Sequence, residues 1–298
     1  MKLLTPQNWD QYALIDSGGY EKLERFGKYI LRRPEPQAVW QKKLPENEWK
    51  FQADAWFRKE KGKAAVEGNE KGEWILKPQM SHQWFVDYVY KQMKIRFRLG
   101  LTAFKHVGIF PEQAENWNYI YDSIRKIDVV QPKVLNLFAY TGGASLAAKA
   151  AGADVTHVDS VRQVLNWSRE NMEASGLDHI RWVLEDALKF VLREAKREKK
   201  YQGIILDPPA YGRGPDGERW ILEEHIAPLM EACSKLLEEK NAFCVLNLYS
   251  MGFSSLIAEN ILTDYFPETK KNIESGELFV PDNFDRRLPL GIYSRFNR

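Results

Sequence analysis

Cysteine is almost absent from this chain: Cys233 and Cys244 are the only two among 298 residues. They form no CxxC pair, and two thiols are too few for a zinc site without help from histidine. The five histidines (His82, His106, His157, His179, His225) show no metal-ligand spacing. A disulfide scaffold and a metal centre are therefore not expected, and a reducing, cytoplasmic compartment fits best. Long hydrophobic runs are missing as well. No stretch reaches the roughly 18 apolar residues that a membrane-spanning helix needs. Met1–Asp16 is broken by Pro6, Asn8, Asp10 and Asp16, unlike a signal peptide. Net charge is close to nil at +2, so any nucleic-acid contact must come from a local basic surface. A G-x-G-x-x-G fingerprint is also lacking, which disfavours NAD.

What is present is ordinary globular material, 44% hydrophobic and 28% charged, enough for a catalytic domain plus a smaller one. Ten tryptophans lift the aromatic share to 13%; they read first as core and second as stacking platforms for bases. Residues 1–85 carry short strand-like runs at Tyr12–Ile15, Tyr29–Leu31, Ala38–Trp40, Trp56-Phe57 and Trp74–Leu76, punctuated by proline and glycine. They predict a small β-rich domain, with Glu60–Gly72 as a solvated hairpin loop. Residues 86–298 form the second unit. It is led in by a connecting helix over Gln83–Phe97 with a basic end, and by a second helix over Glu115–Ile127 whose Trp117, Ile120, Tyr121 and Ile124 share a face. From Lys133 strands and helices alternate: strands at Val134–Phe138, Asp154–Val158, Ile180–Leu184, Gly203–Leu206 and Ala242–Leu248, helices between them. The pattern predicts a doubly wound, mostly parallel α/β sheet, closed by a late hairpin of Gly276–Val280 and Leu290–Phe296.

Four places along that sheet carry chemistry. Asn136-Leu137-Phe138-Ala139-Tyr140-Thr141-Gly142-Gly143 runs from a strand through a tight turn into a helix. Its glycines allow close backbone approach, and its helix N-terminus could hold a carboxylate, phosphate or ribose; a purely structural turn is the alternative. Asp159 ends the next strand, where an acid commonly accepts ribose hydroxyls, or simply faces water. Asp186, followed by Ala187, can receive an adenine amine, cap a helix, or do both. Asp207-Pro208-Pro209-Ala210-Tyr211 is the most specific. Two prolines stiffen the chain and remove two donors, so carbonyls and an acidic side chain could receive the N–H groups of a planar amine while the aromatic ring stacks on it.

Together these motifs resemble class I S-adenosylmethionine-dependent methyltransferases. The likeness is to the bacterial 23S ribosomal RNA (cytosine/guanine) large-subunit methyltransferase family, over roughly residues 80–298, on Val134–Ser145, His157–Asn171, Leu184–Phe190 and Ile204–Gly214. The resemblance implies a Rossmann-like sheet with a C-terminal reversed hairpin, and S-adenosylmethionine as cofactor. It implies cofactor contacts at Asn136, Phe138, Tyr140, Thr141, Gly142 and Gly143, at Asp159 and Ser160, at Asp186 and Ala187, and at Asp207. Phe110 and Gln113 join them from the segment before the first motif. Asp207, Pro208, Pro209 and Tyr211 would face the methyl acceptor, by direct transfer. Relatives that methylate cytosine carbon place a cysteine just after the strand corresponding to Ala242–Leu248. Here Tyr249-Ser250-Met251 follows, so a nitrogen acceptor is favoured. The PUA-type pattern with which several relatives begin is absent from residues 1–85.

Ribosomal RNA is the expected partner. Two basic stretches, Lys91, Lys94, Arg96, Arg98 and Lys105, and Lys22, Arg25, Lys28, Arg32 and Arg33, would bind phosphate or else form solvated faces. A small-molecule or protein acceptor is an open alternative. So is a non-catalytic RNA-binding protein on the same fold.

Overall fold

A computed structural model describes residues 1–7, 9–59, 71–249 and 254–298. The chain enters through β1 (Lys2–Leu4), then builds a five-stranded sheet in the order β2 (Tyr12–Gly18), β3 (Glu21–Phe26), β4 (Tyr29–Pro34), β5 (Ala55–Lys59) and β6 (Gly72–Leu76). A short helix, α1 (Glu46–Gln52), lies between β4 and β5. The β-rich character expected for this region is present. The strand expected at Ala38–Trp40 is not: its carbonyls instead receive Gly19 N–H and Tyr20 N–H, closing a turn against the β2–β3 corner. The loop expected at Glu60–Gly72 falls, through residue 70, outside the described residues.

The helix expected over Gln83–Phe97 is a β-hairpin: β7 (Gln83–Tyr90) pairs antiparallel with β8 (Met93–Gly100). Trp84, Val86, Tyr88, Met93, Ile95, Phe97 and Leu99 point inward with period two. Phe85 and Val89 also stand on the outer face, which blurs that period in the sequence.

Next comes α2 (Ala114–Lys126), which buries Trp117, Ile120, Tyr121 and Ile124 on the expected face. The alternating series follows: β9 (Lys133–Leu137), α3 (Gly143–Ala150), β10 (Asp154–Asp159), α4 (Arg162–Ala174), β11 (Ile180–Leu184), α5 (Ala187–Lys196) and β12 (Gly203–Leu206). A small hairpin of β13 (Tyr211–Arg213) and β14 (Arg219–Ile221) leads into α6 (Leu222–Leu236), β15 (Phe243–Leu248) and α7 (Ser255–Tyr265). The chain ends with β16 (Glu274–Pro281) and β17 (Arg287–Asn297). These strands order β1-β16-β17-β15-β12-β9-β10-β11. β9, β10, β11, β12 and β15 are mutually parallel, and β17 inserts antiparallel between β15 and β16. The reversed C-terminal hairpin is therefore as expected. That β1 adds to its edge, parallel to β16, was not legible. One face of the sheet buries Val134, Val155, Ile205 and Val245 under α2, α3 and the β7–β8 hairpin. The other packs Leu137, Ile204, Leu206 and Leu246 on residues of α5, α6 and α7.

The hairpin is fastened to α4 by side chains. Asn171 accepts the Arg98 N–H at 2.8 Å, Ser175 accepts the Arg96 N–H at 2.9 Å, and the Trp167 indole donates to the Arg98 carbonyl at 2.7 Å. An otherwise bare strand edge is thus satisfied. Gly108 packs under the same indole: a Cβ there would lie 2.2 Å from Trp167, and its φ is +100°. Gly152 has the same φ with nothing within 4 Å. Gly152→Ala should therefore cost only the backbone part, on the order of 1 kcal/mol. Gly108→Ala should lose roughly 1–3 kcal/mol more through overpacking. Urea midpoints of the two variants check this; equal losses would mean that Trp167 yields freely.

Candidate active site

The strand order turns at β9, with β10 on one side and β12 on the other, and the carboxyl ends of such strands are where open α/β sheets bind ligands. A cavity of about 560 Å³, open to solvent, lies there. Phe110, Gln113, Asn136, Phe138, Tyr140, Thr141, Gly142, Gly143 and Asp207, nine of the residues read from the sequence, line it. Ile109, Asn116, Trp117 and Asn247 were not foreseen. Asn247 did leave a signal, as the one polar residue within Phe243–Leu248, where an amide must have a reason to be buried.

The turn after β9 is backbone under load. Phe138 and Tyr140 hold φ of 54° and 48°, a region that bulky L-residues rarely adopt, and Gly142 sits at 93°. Neighbouring side chains grip it. Asp159 accepts the Tyr140 N–H at 2.9 Å, Ser168 donates to the Tyr140 carbonyl at 2.6 Å, and Asn171 donates to the Thr141 carbonyl at 2.9 Å. The Thr141 hydroxyl donates to the Gly108 carbonyl at 2.6 Å. The second glycine has a different reason from the one expected: a Cβ on Gly143 would strike the Trp117 ring at 2.7 Å, so its smallness serves helix packing as well as the cavity. α3 has no side-chain cap, and its first backbone bond is Leu146 N–H to the Gly142 carbonyl. The preceding amides are the kind that accept an anion or a carboxylate.

Under the turn runs a buried polar chain. Asn136 Nδ2 donates to Ser145 Oγ at 2.9 Å, and that hydroxyl lies 2.9 Å from His157 Nδ1. Burial pushes His157 down to about 3, so its ring is neutral. The ring's tautomer sets which partner of the Ser145–His157 bond donates.

Asp207 is half-buried, and burial raises it to about 6, against the lowering effect of a 2.6 Å bond donated by Asn247 Nδ2 to its Oδ1. No charged side chain contributes to that shift. Pro208 is buried and Pro209 exposed. The Pro209 carbonyl does not point unopposed into the cleft as expected; the Trp220 indole donates to it at 2.7 Å. Tyr211 is 66% exposed in the β13–β14 hairpin and does not line the cavity. Asp159, Ser160, Asp186 and Ala187 also stand outside its lining. Asp186 caps α5, accepting the Lys189 N–H at 2.9 Å. Among the described residues no cluster of three His, Cys, Asp or Glu side chains could hold a metal. No described helix is long and apolar enough to cross a membrane.

The two basic stretches are mostly neutralised internally. Lys22 pairs with Glu24 and Glu35, Arg33 with Glu24, Arg32 with Glu21 and Glu46, Lys91 with Asp122, and Arg98 with Glu170. Lys28, Lys94 and Arg96 remain exposed. Lys22, Arg33, Glu35, Lys105 and Glu112, all buried, instead line a second cavity that shares Ile109 and Phe110 with the first. Burial pushes Glu112 up to about 7. Most tryptophans are core: Trp9, Tyr88 and Trp117 meet edge-on at 4.9–6.0 Å.

A family model described as S-adenosylmethionine-dependent methyltransferase matches residues 68–243. The chain is 29% identical over 156 residues to a Shewanella frigidimarina protein named ribosomal RNA large subunit methyltransferase K/L, covering 51% of this chain and 21% of that one. It is 31% identical over 153 residues to a putative ribosomal RNA large subunit methyltransferase of Methanocaldococcus jannaschii, covering 51% and 38%. The matched segment thus spans well under half of these relatives' own length. Among solved structures, a SAM-dependent methyltransferase from Agrobacterium tumefaciens superposes with a TM-score of 0.88 at 35% identity, covering 100% of this chain and 93% of that one. A putative methyltransferase, SMU.776, solved with SAH, shares the fold at TM-score 0.71 and 16% identity, over 97% and 76% of the two chains.

The neutral His157 makes stability depend on pH. Its folded value, about 3, lies below the roughly 6.5 of an unfolded histidine. As pH falls through that window the unfolded chain takes up a proton that the folded chain refuses, and stability drops. The stability advantage of the wild type over His157→Gln should therefore shrink between about pH 7 and pH 4. Denaturation midpoints across that range check it; a constant gap would contradict a neutral buried ring.

Proposed function

The chain belongs to the S-adenosylmethionine-dependent methyltransferase family, and from that premise we propose that it methylates a nitrogen of a planar, amine-bearing base in ribosomal RNA. The observation that carries the acceptor reading is Asp207. It is a half-buried carboxylate at the end of β12, braced on one oxygen by Asn247, with its other oxygen turned to no described donor. The ribosomal reading is supported by the names of the relatives, and the preference for nitrogen by the lack of an accessible thiol. Cys233 and Cys244 are buried, and burial raises both thiols.

The cavity fits the cofactor on its own features. It pairs apolar walls (Ile109, Phe110, Trp117) with an uncapped helix start and a glycine-bearing turn, the mix of apolar lining and a few convergent polar groups that small-molecule sites use. In this reading Tyr140–Gly143 and the start of α3 hold the methionine carboxylate end. Asp159 and Ser160 take the ribose, Asp186 and Ala187 the adenine, and Phe110, Gln113, Asn136 and Phe138 the remaining walls. When bound, S-adenosylmethionine supplies a methyl group on a positively charged sulfur. The chain's own task is then to orient and desolvate. Asp207, ionised at neutral pH, accepts an N–H of the acceptor on Oδ2 and so aims the nitrogen lone pair into the cavity. Pro208 and Pro209 stiffen that segment, and Tyr211 offers its exposed ring to the base from outside.

One observation favours a second reading, a small polar acceptor. Several of the cations expected to meet phosphate are held in ion pairs instead, Lys22 and Arg33 of them lining the second cavity. Incubating the protein with methyl-labelled cofactor and, separately, large-subunit RNA, total protein and a small-molecule extract decides between them. Label in the RNA, with binding that weakens as salt rises, is expected. Label confined to the small-molecule fraction would sink the ribosomal assignment. Asp207→Ala should abolish transfer while leaving cofactor affinity within about threefold by calorimetry, because it removes an acceptor contact. Wild-type turnover in that variant would contradict the role given to Asp207.

A further inference from the structure

We propose that Asn247 is a positioning residue for methyl transfer, holding the Asp207 carboxylate in the one orientation that presents Oδ2 to the acceptor. The proposal rests on the reading of Asp207 given above. Asn247 lies on β15, the parallel neighbour of β12, one residue before the strand's end, and is 5% exposed. Every other residue of the strand is apolar or cysteine, all of them buried. Its Nδ2 donates to Asp207 Oδ1 at 2.6 Å. Its Oδ1 is buried with no hydrogen-bond partner among the described residues. An amide placed in an apolar strand with half its polar atoms unsatisfied is a poor stabiliser. Its value lies in the half that is used: a neutral donor fixes the carboxylate's rotation without neutralising its charge, as an arginine or lysine there would.

The groups that titrate around this pair do not compete with it. Tyr140 from the turn after β9, Tyr293 opposite Asn247 on β17, and Cys244 within β15 are all raised by burial. His157, reached from β9 through Asn136 and Ser145, is neutral. Arg295, next but one to Tyr293 on β17, is engaged by Glu274. α2 contributes only Asn116, Trp117 and Ile120 to this cavity. Among the described residues, Asp207 is the one carboxylate that lines it.

Two substitutions test the proposal in the whole 298-residue chain, with large-subunit RNA as acceptor. Asn247→Leu removes the donor at similar volume. We expect kcat to fall about 100-fold, as for a misaimed reacting group. The dissociation constant for S-adenosylmethionine should stay within about threefold, and the urea midpoint should be unchanged or higher. The carbon-13 carboxyl resonance of Asp207 should titrate above its wild-type value, because a bond that favours the ionised form is gone. Asn247→Asp puts two carboxyls in contact, which share one proton. At low pH the introduced acid donates to Asp207 as the amide did, and as pH rises both ionise and repel. This variant should therefore lose activity with rising pH, where the wild type gains it as Asp207 ionises. Wild-type kcat in Asn247→Leu would overturn the proposal. So would cofactor affinity or the urea midpoint falling in step with kcat, or an Asn247→Asp profile that parallels the wild type. The Asp207 titration is read without any substrate, so it speaks even where no acceptor turns over. Wild-type turnover in Asp207→Ala would defeat the underlying reading instead, whereas a dead Asp207→Ala beside an active Asn247→Leu would defeat this proposal alone.

Discussion

The site depends on the left-handed turn at Phe138–Gly142. Two bulky residues in that backbone region cost on the order of 1–3 kcal/mol each, and such strain persists only where the surroundings over-determine it. Here they do: Asp159 from β10, Ser168 and Asn171 from α4, and the Gly108 carbonyl all bind the turn. The consequence is a cavity floor whose shape is set before any ligand arrives. Tyr140 and Phe138 line it on one side and the uncapped start of α3 faces it on another. Preorganisation of this kind is what a transfer with little acid–base chemistry asks of its protein.

The N-terminal half is tied into that same turn. Thr141 reaches Gly108, Gly108 packs under Trp167, and Trp167 holds β8. On the far side Asp16 receives the indole of Trp49 and the guanidinium of Arg286, while Ser17 donates to Asp282, so the five-stranded sheet is locked to the β16–β17 turn. Its charged residues line the second cavity behind Phe110. Burying Lys22, Arg33, Glu35 and Glu112 together is expensive unless each is paired or used.

Legibility followed the strength of the hydrophobic period. Strands β9, β10, β11, β12 and β15 showed themselves because both-face-buried parallel strands are continuous apolar runs separated by amphipathic helices. β7 and β8 were misread because Phe85 and Val89 add apolar residues to the solvent face. β3 escaped because its inward positions include Lys22 and Glu24, whose burial depends on partners far along the chain or across the sheet. At the site, glycines and prolines announced the turn and the Asp207 segment. What they could not announce was spatial: that Pro209 spends its carbonyl on Trp220, that Gly143 makes room for Trp117, and that Asn247 stands beside Asp207. Several members of the basic stretches are paired by acids on other elements, Lys91 with Asp122 and Arg98 with Glu170, which their spacing does not show.

In the proposed function the methyl group changes hands in the cavity at the carboxyl ends of β9 and β12. The most direct measurement is a crystal structure with S-adenosylhomocysteine bound. The carboxylate end of that product is expected against Tyr140–Gly143 and the start of α3, with its sulfur facing Asp207. Product bound at another place on the sheet, or with its sulfur turned away from Asp207, would contradict it.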